Sequence, residues 1–284
     1  MLLFKTLGNT SISKIVAALV DSFSDYFVPM PDSVDFWKNH WKKNRVQYDL
    51  SIGTFDADDN LVGFMIMGID ERNGKTVAFN AGTGVISKYR GQKLVKQMYD
   101  FAIPIFKENR IEELALEVIS QNIKAIKAYQ SVGFKIDKLY QCFRSSDLTI
   151  PTSVEYRVME VQEPNWTTYQ SFTTENYCWE YQISGIKINL AAIKCFELYD
   201  KSDNLMAYYI INPINKSIMR FDVKDENSYE VLYHHWHNHF DKVRIMNVQD
   251  SKKIKFLQDY KFENNINQFE MIFRVNGTAF ANVC

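Results

Sequence analysis

Three features of the sequence predict an α/β (α+β) chain built as two domains. From Gly82 to Asp100 the segment GTGVISKYRGQKLVKQMYD reads as a strand that passes through a short basic turn straight into a helix. Asp59-Asn60-Leu61-Val62-Gly63-Phe64 recurs 144 residues later as Asp203-Asn204-Leu205-Met206-Ala207-Tyr208, each copy opening an apolar strand after a charged turn, so the chain carries an internal duplication. A length of 284 residues lets each of two domains bury its own core.

The elements follow in order. Ile12 to Phe27 reads as an amphipathic helix with Ile12, Ile15, Val16, Leu19 and Phe23 on one face, Ser11 as its N-cap, and Pro29 and Pro31 as its stop. Val34 to Lys43 reads as a second helix. Leu50 to Phe55 and Leu61 to Asp70 form a hairpin about Asp56-Ala-Asp-Asp-Asn60, and a third strand starts at Val77. Val85 and Ile86 are β-branched strand residues, Arg90 and Gly91 mark the turn, and Leu94, Val95, Met98 and Phe101 recur at helical spacing. The first turn of that helix has backbone N–H groups without intrahelical partners. Together with the positive end of the helix dipole they suit a phosphate, and Lys88, Arg90 and Lys93 add charge. Leu114 to Val118 is then a strand. Asn122 to Gly133-Phe134 is a helix with a glycine C-cap leading to another strand.

Together these residues resemble the GNAT (GCN5-related) N-acetyltransferase family. Val85 stands five before Arg90-Gly91, as in the family's pyrophosphate-binding V-x-x-x-x-R-G-x-G-x-G/A segment. Asn122, Ala125, Tyr129, Gly133 and Phe134 match its N-x-x-A-x-x-x-Y-x-x-x-G-F segment. Lys93 and Val95 depart from the pattern, occupying places usually held by Gly and by Gly or Ala. The resemblance implies a mixed, mostly antiparallel central sheet flanked by helices in each domain. It implies acetyl-CoA as cosubstrate, held by Thr83, Val85, Ile86, Arg90, Gly91, Gln92, Lys93, Leu94, Val95 and Asn122 in the splay between two strands. It places the acceptor groove beside the first helices, where Tyr26, Trp37 and Asn80 are candidates, with packing on the sheet as the other reading of the two aromatics. Tyr129 falls where the family's general acid sits, and a phenol with a pKa of about 10 can protonate a departing thiolate; its other reading is a core aromatic. Glu117 is either the base that deprotonates the amine or an anchor for the substrate cation.

In the second copy Asn247 stands where the first has Glu117 and Leu257 where it has Tyr129, and after Val223 the acidic KDENSYEV replaces the basic turn, so a phosphate would be repelled there. The expected division is a catalytic domain over 1–145, a linker over 146–164, and a degenerate domain without a cofactor site over 165–284. That second domain would close the first domain's groove or form a homodimer interface. His234, His235, His237 and His239 read as an exposed helix face rather than a metal site: no HExxH arrangement or third ligand accompanies the His235/His239 pair.

Composition narrows the class. A formal net charge of −1 gives no electrostatic footprint for nucleic acid or an anionic membrane. Cys142, Cys178, Cys195 and Cys284 lack metal-type spacing and read as free thiols, and neither a secretion signal nor a long apolar run is present, which together point to the cytoplasm. Two functional readings stand: an acetyl-CoA-dependent N-acetyltransferase acting on a small-molecule or peptide amine, and a non-catalytic acyl-CoA-binding or regulatory protein.

Overall fold

The computed structural model describes residues 1–25, 29–145, 154–173 and 176–275. Its contacts divide the chain into a first unit of Met1–Asp137 with Phe269–Cys284, and a second of Lys138–Gln268.

In the first unit, β1 (Leu3–Thr6) pairs antiparallel with β2 (Ile52–Phe55). Between them lie α1 (Ile12–Ser22) and α2 (Val34–Lys43). Each helix starts where a serine hydroxyl accepts a first-turn N–H: Ser11 from Lys14 at 3.3 Å and Ser33 from Phe36 at 3.2 Å. Antiparallel strands β3 (Leu61–Arg72) and β4 (Lys75–Val85) follow, then α3 (Leu94–Glu108), β5 (Glu113–Ile119) parallel to β4, and α4 (Ile123–Val132). Met98, Tyr99, Ala102 and Phe106 on one face of α3 bury against Met65, Met67, Leu114 and Leu116 of the sheet. On the opposite face Ile15, Val16 and Leu19 of α1 and Trp37 and Trp41 of α2 cover Phe64 and Ile66.

The division at residue 145 needs correcting. After α4, β6 (Lys135–Arg144) carries the chain away, and Gln141, Phe143 and Arg144 pair with a strand of the second unit's sheet. The last strand of the chain, β13 (Gln268–Arg274, numbered in chain order), lies beside β5. It seals the first core with Met271 and Val275, both buried there, and its Glu270 carboxylate accepts from Arg72 at 2.5 Å. Propensity cannot reveal such an exchange, because any apolar strand satisfies either sheet.

In the second unit β7 (Arg157–Val161) falls inside the segment expected to be a linker, where residues 146–153 lie outside the described ones. The helices α5 (Trp166–Ser171) and α6 (Ile183–Lys187) precede antiparallel β8 (Lys194–Tyr199), β9 (Leu205–Asn212) and β10 (Ser217–Val223). Next come α7 (Ser228–His239), β11 (Arg244–Val248) parallel to β10, α8 (Ser251–Asp259) and the two-residue β12 (Glu263–Asn264). The duplication reaches single hydrogen bonds. Asp56 accepts from Asp58 N at 3.0 Å and Asn60 N at 2.9 Å, and Asp200 from Ser202 N at 2.8 Å and Asn204 N at 2.9 Å. Asp59 and Asp203 both take φ near +60°, at 59° and 61°.

Candidate active site

The site begins where β4 and β5 part. Their parallel pairing runs from Val77↔Glu113 to Asn80↔Leu116 and stops there. Beyond it Gly82 to Val85 stay paired with β3, so a cleft opens between Thr83–Val85 on one side and Glu117–Ile119 on the other. At its mouth the chain makes a short 3-10 turn at Ser87–Tyr89 and enters α3 through Gly91 at φ +80° and Lys93 at φ +57°. Lys93 therefore adopts the left-handed conformation natural to the glycine its family pattern has there. The opposite wall is α4, whose first turn is capped by Asn122, the side chain accepting from Ala125 N at 3.2 Å.

These elements enclose a cavity of about 820 Å³. Of the residues expected to hold a donor, Thr83, Val85, Arg90, Gly91, Lys93, Leu94, Val95 and Asn122 line it, as does Tyr129 from α4. Ile86 and Gln92 do not. Gly84 gives the strand its slimness at this point: a Cβ there would stand 2.5 Å from the Phe64 ring and 2.8 Å from the Ser22 Cβ. Tyr129 packs edge-on against Phe134 at 5.9 Å between ring centroids, and Phe134 against Tyr99 at 5.2 Å and Phe273 of β13 at 5.7 Å. Burial drives the Tyr99 phenol well above its ordinary pKa, helped by the neighbouring Tyr129.

Several expectations are revised. Arg90, on the cavity wall, is ion-paired there with Asp25, which lines the same cavity: its guanidinium meets that carboxylate at 2.6 and 2.8 Å and the carbonyls of Ser22 and Val85 at 2.8 and 3.1 Å. It is a staple between the end of α1 and the turn into α3, and it holds the Asp25 carboxyl below the usual carboxylate range. Asn80 is spent within the protein, donating to Thr83 Oγ1 and Tyr99 OH and accepting from Gly82 N. Trp37 is buried in the core, its indole donating to Pro31 O at 2.7 Å, and does not reach the cavity. Tyr26 lies outside the described residues. Glu117 is the first residue of β5 past the last pair with β4 but is not on the cavity wall. Sequence reasoning missed Ser22, Lys96, Gln121 and Lys124, which also line the cavity; the N-cap at Asn122 was the one signal that its α4 neighbour Lys124 fronts the same opening.

In the second unit His235 is buried, contrary to an exposed helix face. Its Nε2 lies 2.8 Å from the Tyr209 hydroxyl and its Nδ1 3.2 Å from that of Tyr156. Burial, with His239 and His234 nearby, pushes its pKa down to about 3. Among the described residues no group of His, Cys, Asp or Glu is placed to hold a metal ion, and no helix is long and apolar enough to cross a membrane.

Residues 16–134 match the family model of the acetyltransferase (GNAT) family. Over its length the chain also shares the tandem GNAT fold. A tandem GNAT protein from the clavulanic acid biosynthesis pathway superposes with a TM-score of 0.64 at 11% identity, over 98% of this chain and 100% of that one. A GCN5-related N-acetyltransferase from Sphaerobacter thermophilus gives 0.68 at 7% identity, over 98% and 97%. One from Anabaena variabilis gives 0.67 at 14%, over 97% and 73%. At such identities the likeness is one of fold. No curated protein matches the sequence significantly.

Proposed function

We propose that the protein is an acetyl-CoA-dependent N-acetyltransferase that passes the acetyl group to a primary amine of a small molecule or peptide by direct attack. One observation carries the reading: a cavity opens where β4 and β5 diverge, fronted by the start of α3 and walled by Tyr129. The residues suit the donor. Ala125 leaves room, backbone N–H groups at the α3 N-terminus suit a diphosphate, and Lys93 and Lys124 put positive charge on the rim. Arg90 enters this reading as the brace of the turn, not as a phosphate ligand.

In the transfer the amine nitrogen attacks the thioester carbon, the C–S bond breaks, and the thiolate takes a proton. Tyr129 supplies that proton, while the attacking nitrogen sheds one to solvent as the amide forms and solvent restores the phenol. Glu117, on β5 at the splay, takes the proton of the ammonium through water so that a neutral amine attacks. Holding both reactants in one cleft supplies much of the rate. The cytoplasm is the proposed location. The non-catalytic alternative draws on Glu117 standing off the cavity wall and on the strained Lys93 in place of glycine.

The test has two arms. Calorimetry with acetyl-CoA should find one site per chain. Thiol release should appear with one class in a panel of polyamines, aminoglycosides, amino acids and peptide N-termini. Binding without thiol release across the panel favours the alternative, and absent binding removes both.

A further inference from the structure

The pairing of β3 with β4 slips at one place: Gly82 faces Ile66 while Asn80 faces Met67, so Ala81 is the extra residue of a β-bulge. Asn80 is also the last residue of β4 paired with β5, and it is buried. Its amide spans the bulge. Oδ1 accepts from Gly82 N at 3.0 Å, while Nδ2 donates to Thr83 Oγ1 at 2.7 Å and to the Tyr99 hydroxyl of α3 at 2.8 Å.

A bulge decides which backbone groups past it face which way, because antiparallel strands present alternate residues to each neighbour. Ile86 N–H donates to Val62 O at 3.0 Å, so the alternation turns Gly84 toward β3 and Thr83 and Val85 toward the side that β5 has left. Consistent with this, the Val85 carbonyl accepts from Arg90 Nε at 3.1 Å rather than from β3. Moving the extra residue by one position would exchange the two sets.

We propose that Asn80 is a positioning residue for acyl transfer: by locking the bulge at Ala81 it aims the N–H groups of Thr83 and Val85 into the splay, where they polarise the thioester carbonyl. The proposal rests on the acetyltransferase reading above. It reassigns Asn80 from substrate contact to backbone alignment, with Tyr99 as the buried abutment that ties the lock to α3. Donors fixed before the reaction stabilise charge developing on the carbonyl oxygen without reorganising, and loss of one such donor typically lowers kcat about 10²–10³-fold.

The experiment needs no acceptor amine. Acetyl-CoA labelled with carbon-13 at the thioester carbonyl is bound to the full chain, and the carbonyl stretch is followed by difference infrared spectroscopy, with calorimetry for affinity. The wild-type protein should lower the stretching frequency relative to free acetyl-CoA. Asn80→Ala should lose most of that shift while affinity stays within about threefold, the donors acting on the carbonyl and not on the diphosphate end. Asn80→Asp should restore much of it, since the Thr83 and Tyr99 hydroxyls can turn to donate to a carboxylate. Should Asn80→Ala fail to fold, Thr83→Val removes one arm of the lock and should lose part of the shift. A full wild-type shift in a folded Asn80→Ala or Thr83→Val protein overturns the proposal, as does loss of shift and affinity together with no rescue by Asn80→Asp. Wild-type protein that does not bind acetyl-CoA overturns the acetyltransferase reading itself, a different result from binding with an unaltered shift in the variants.

Discussion

The same cleft is built twice in this chain and filled differently each time. In the first copy Gly84 of β4 stands across from Phe64 of β3, and Ala125 is three residues past the N-cap Asn122 of α4. In the second, Asp222 of β10 stands across from Tyr208 of β9, and Lys253 is three past the N-cap Asp250 of α8. Where the first copy has two of the smallest side chains and a cavity of about 820 Å³, the second has a buried ion pair. Lys253 Nζ lies 2.6 Å from Asp222 Oδ1 and 2.6 Å from the Tyr177 hydroxyl, which itself donates to Asp222 at 3.0 Å, and Tyr208 donates to the same carboxylate. The cavity left beside that pair is about 310 Å³. The second fold fills the corresponding place with buried charges that satisfy one another.

The comparison breaks first at Tyr129. Tyr129→Phe keeps the ring against Phe134 and removes only the hydroxyl, so kcat should fall about 10²–10⁴-fold with acetyl-CoA affinity and thermal stability nearly unchanged. Leu257→Tyr, which writes the same phenol into the second copy, should leave turnover as it was. Stopped-flow single-turnover rates for both variants check this, and a full-rate Tyr129→Phe protein would strip the first cleft of its assigned acid.

The second cleft is tested by stranding its lysine. Asp222→Ala leaves a buried ammonium beside Tyr177 without its carboxylate and should cost about 3–5 kcal/mol in denaturant unfolding, whereas Asp222→Leu with Lys253→Met should recover most of that loss. A cost below about 1 kcal/mol would show that the pair behaves as a surface one. Acid offers a milder probe of the same unit. The folded pKa of His235, about 3, lies below its ordinary value of 6.5. The unfolded chain therefore gains a proton first, and stability should fall as pH drops from about 6.5 toward 3, then level off. His235→Gln should flatten that slope.

How much of this was legible in the sequence depended on how far apart the partners lie. The helix start at Ser11, the second helix from Val34, the hairpin about Asp56 and the glycine C-cap at Gly133 came through because each is decided within a few residues. The residues from Thr83 to Val95 that the sequence singles out as a donor site mostly line one cavity. The ion pair of Arg90 with Asp25 was hidden because the partners lie 65 residues apart, and the burial of His235 because Tyr156 is 79 away. The bulge at Ala81 has no local signature: it depends on the register against β3 and on Tyr99 reaching Asn80 from α3. The exchange of β6 and β13 was hidden for the same reason, as the partners of both strands lie far from them in the chain.

The smallest effect distinguishes two roles of one residue. Lys93 enters α3 at φ +57°, a conformation that costs a side-chain-bearing residue about 1–2 kcal/mol, part of which glycine would lose again through the greater freedom of the unfolded chain. Lys93→Gly should therefore stabilise the protein by up to about 1 kcal/mol. The same change removes a positive charge from the rim and should weaken acetyl-CoA binding severalfold at low salt, the loss shrinking as salt screens the site. Lys93→Glu should weaken binding further and relieve no strain. If the ammonium instead points away from the donor, Lys93→Gly will raise stability and leave affinity at low salt untouched, and the first cleft will then rest its hold on the diphosphate on backbone N–H groups and Lys124.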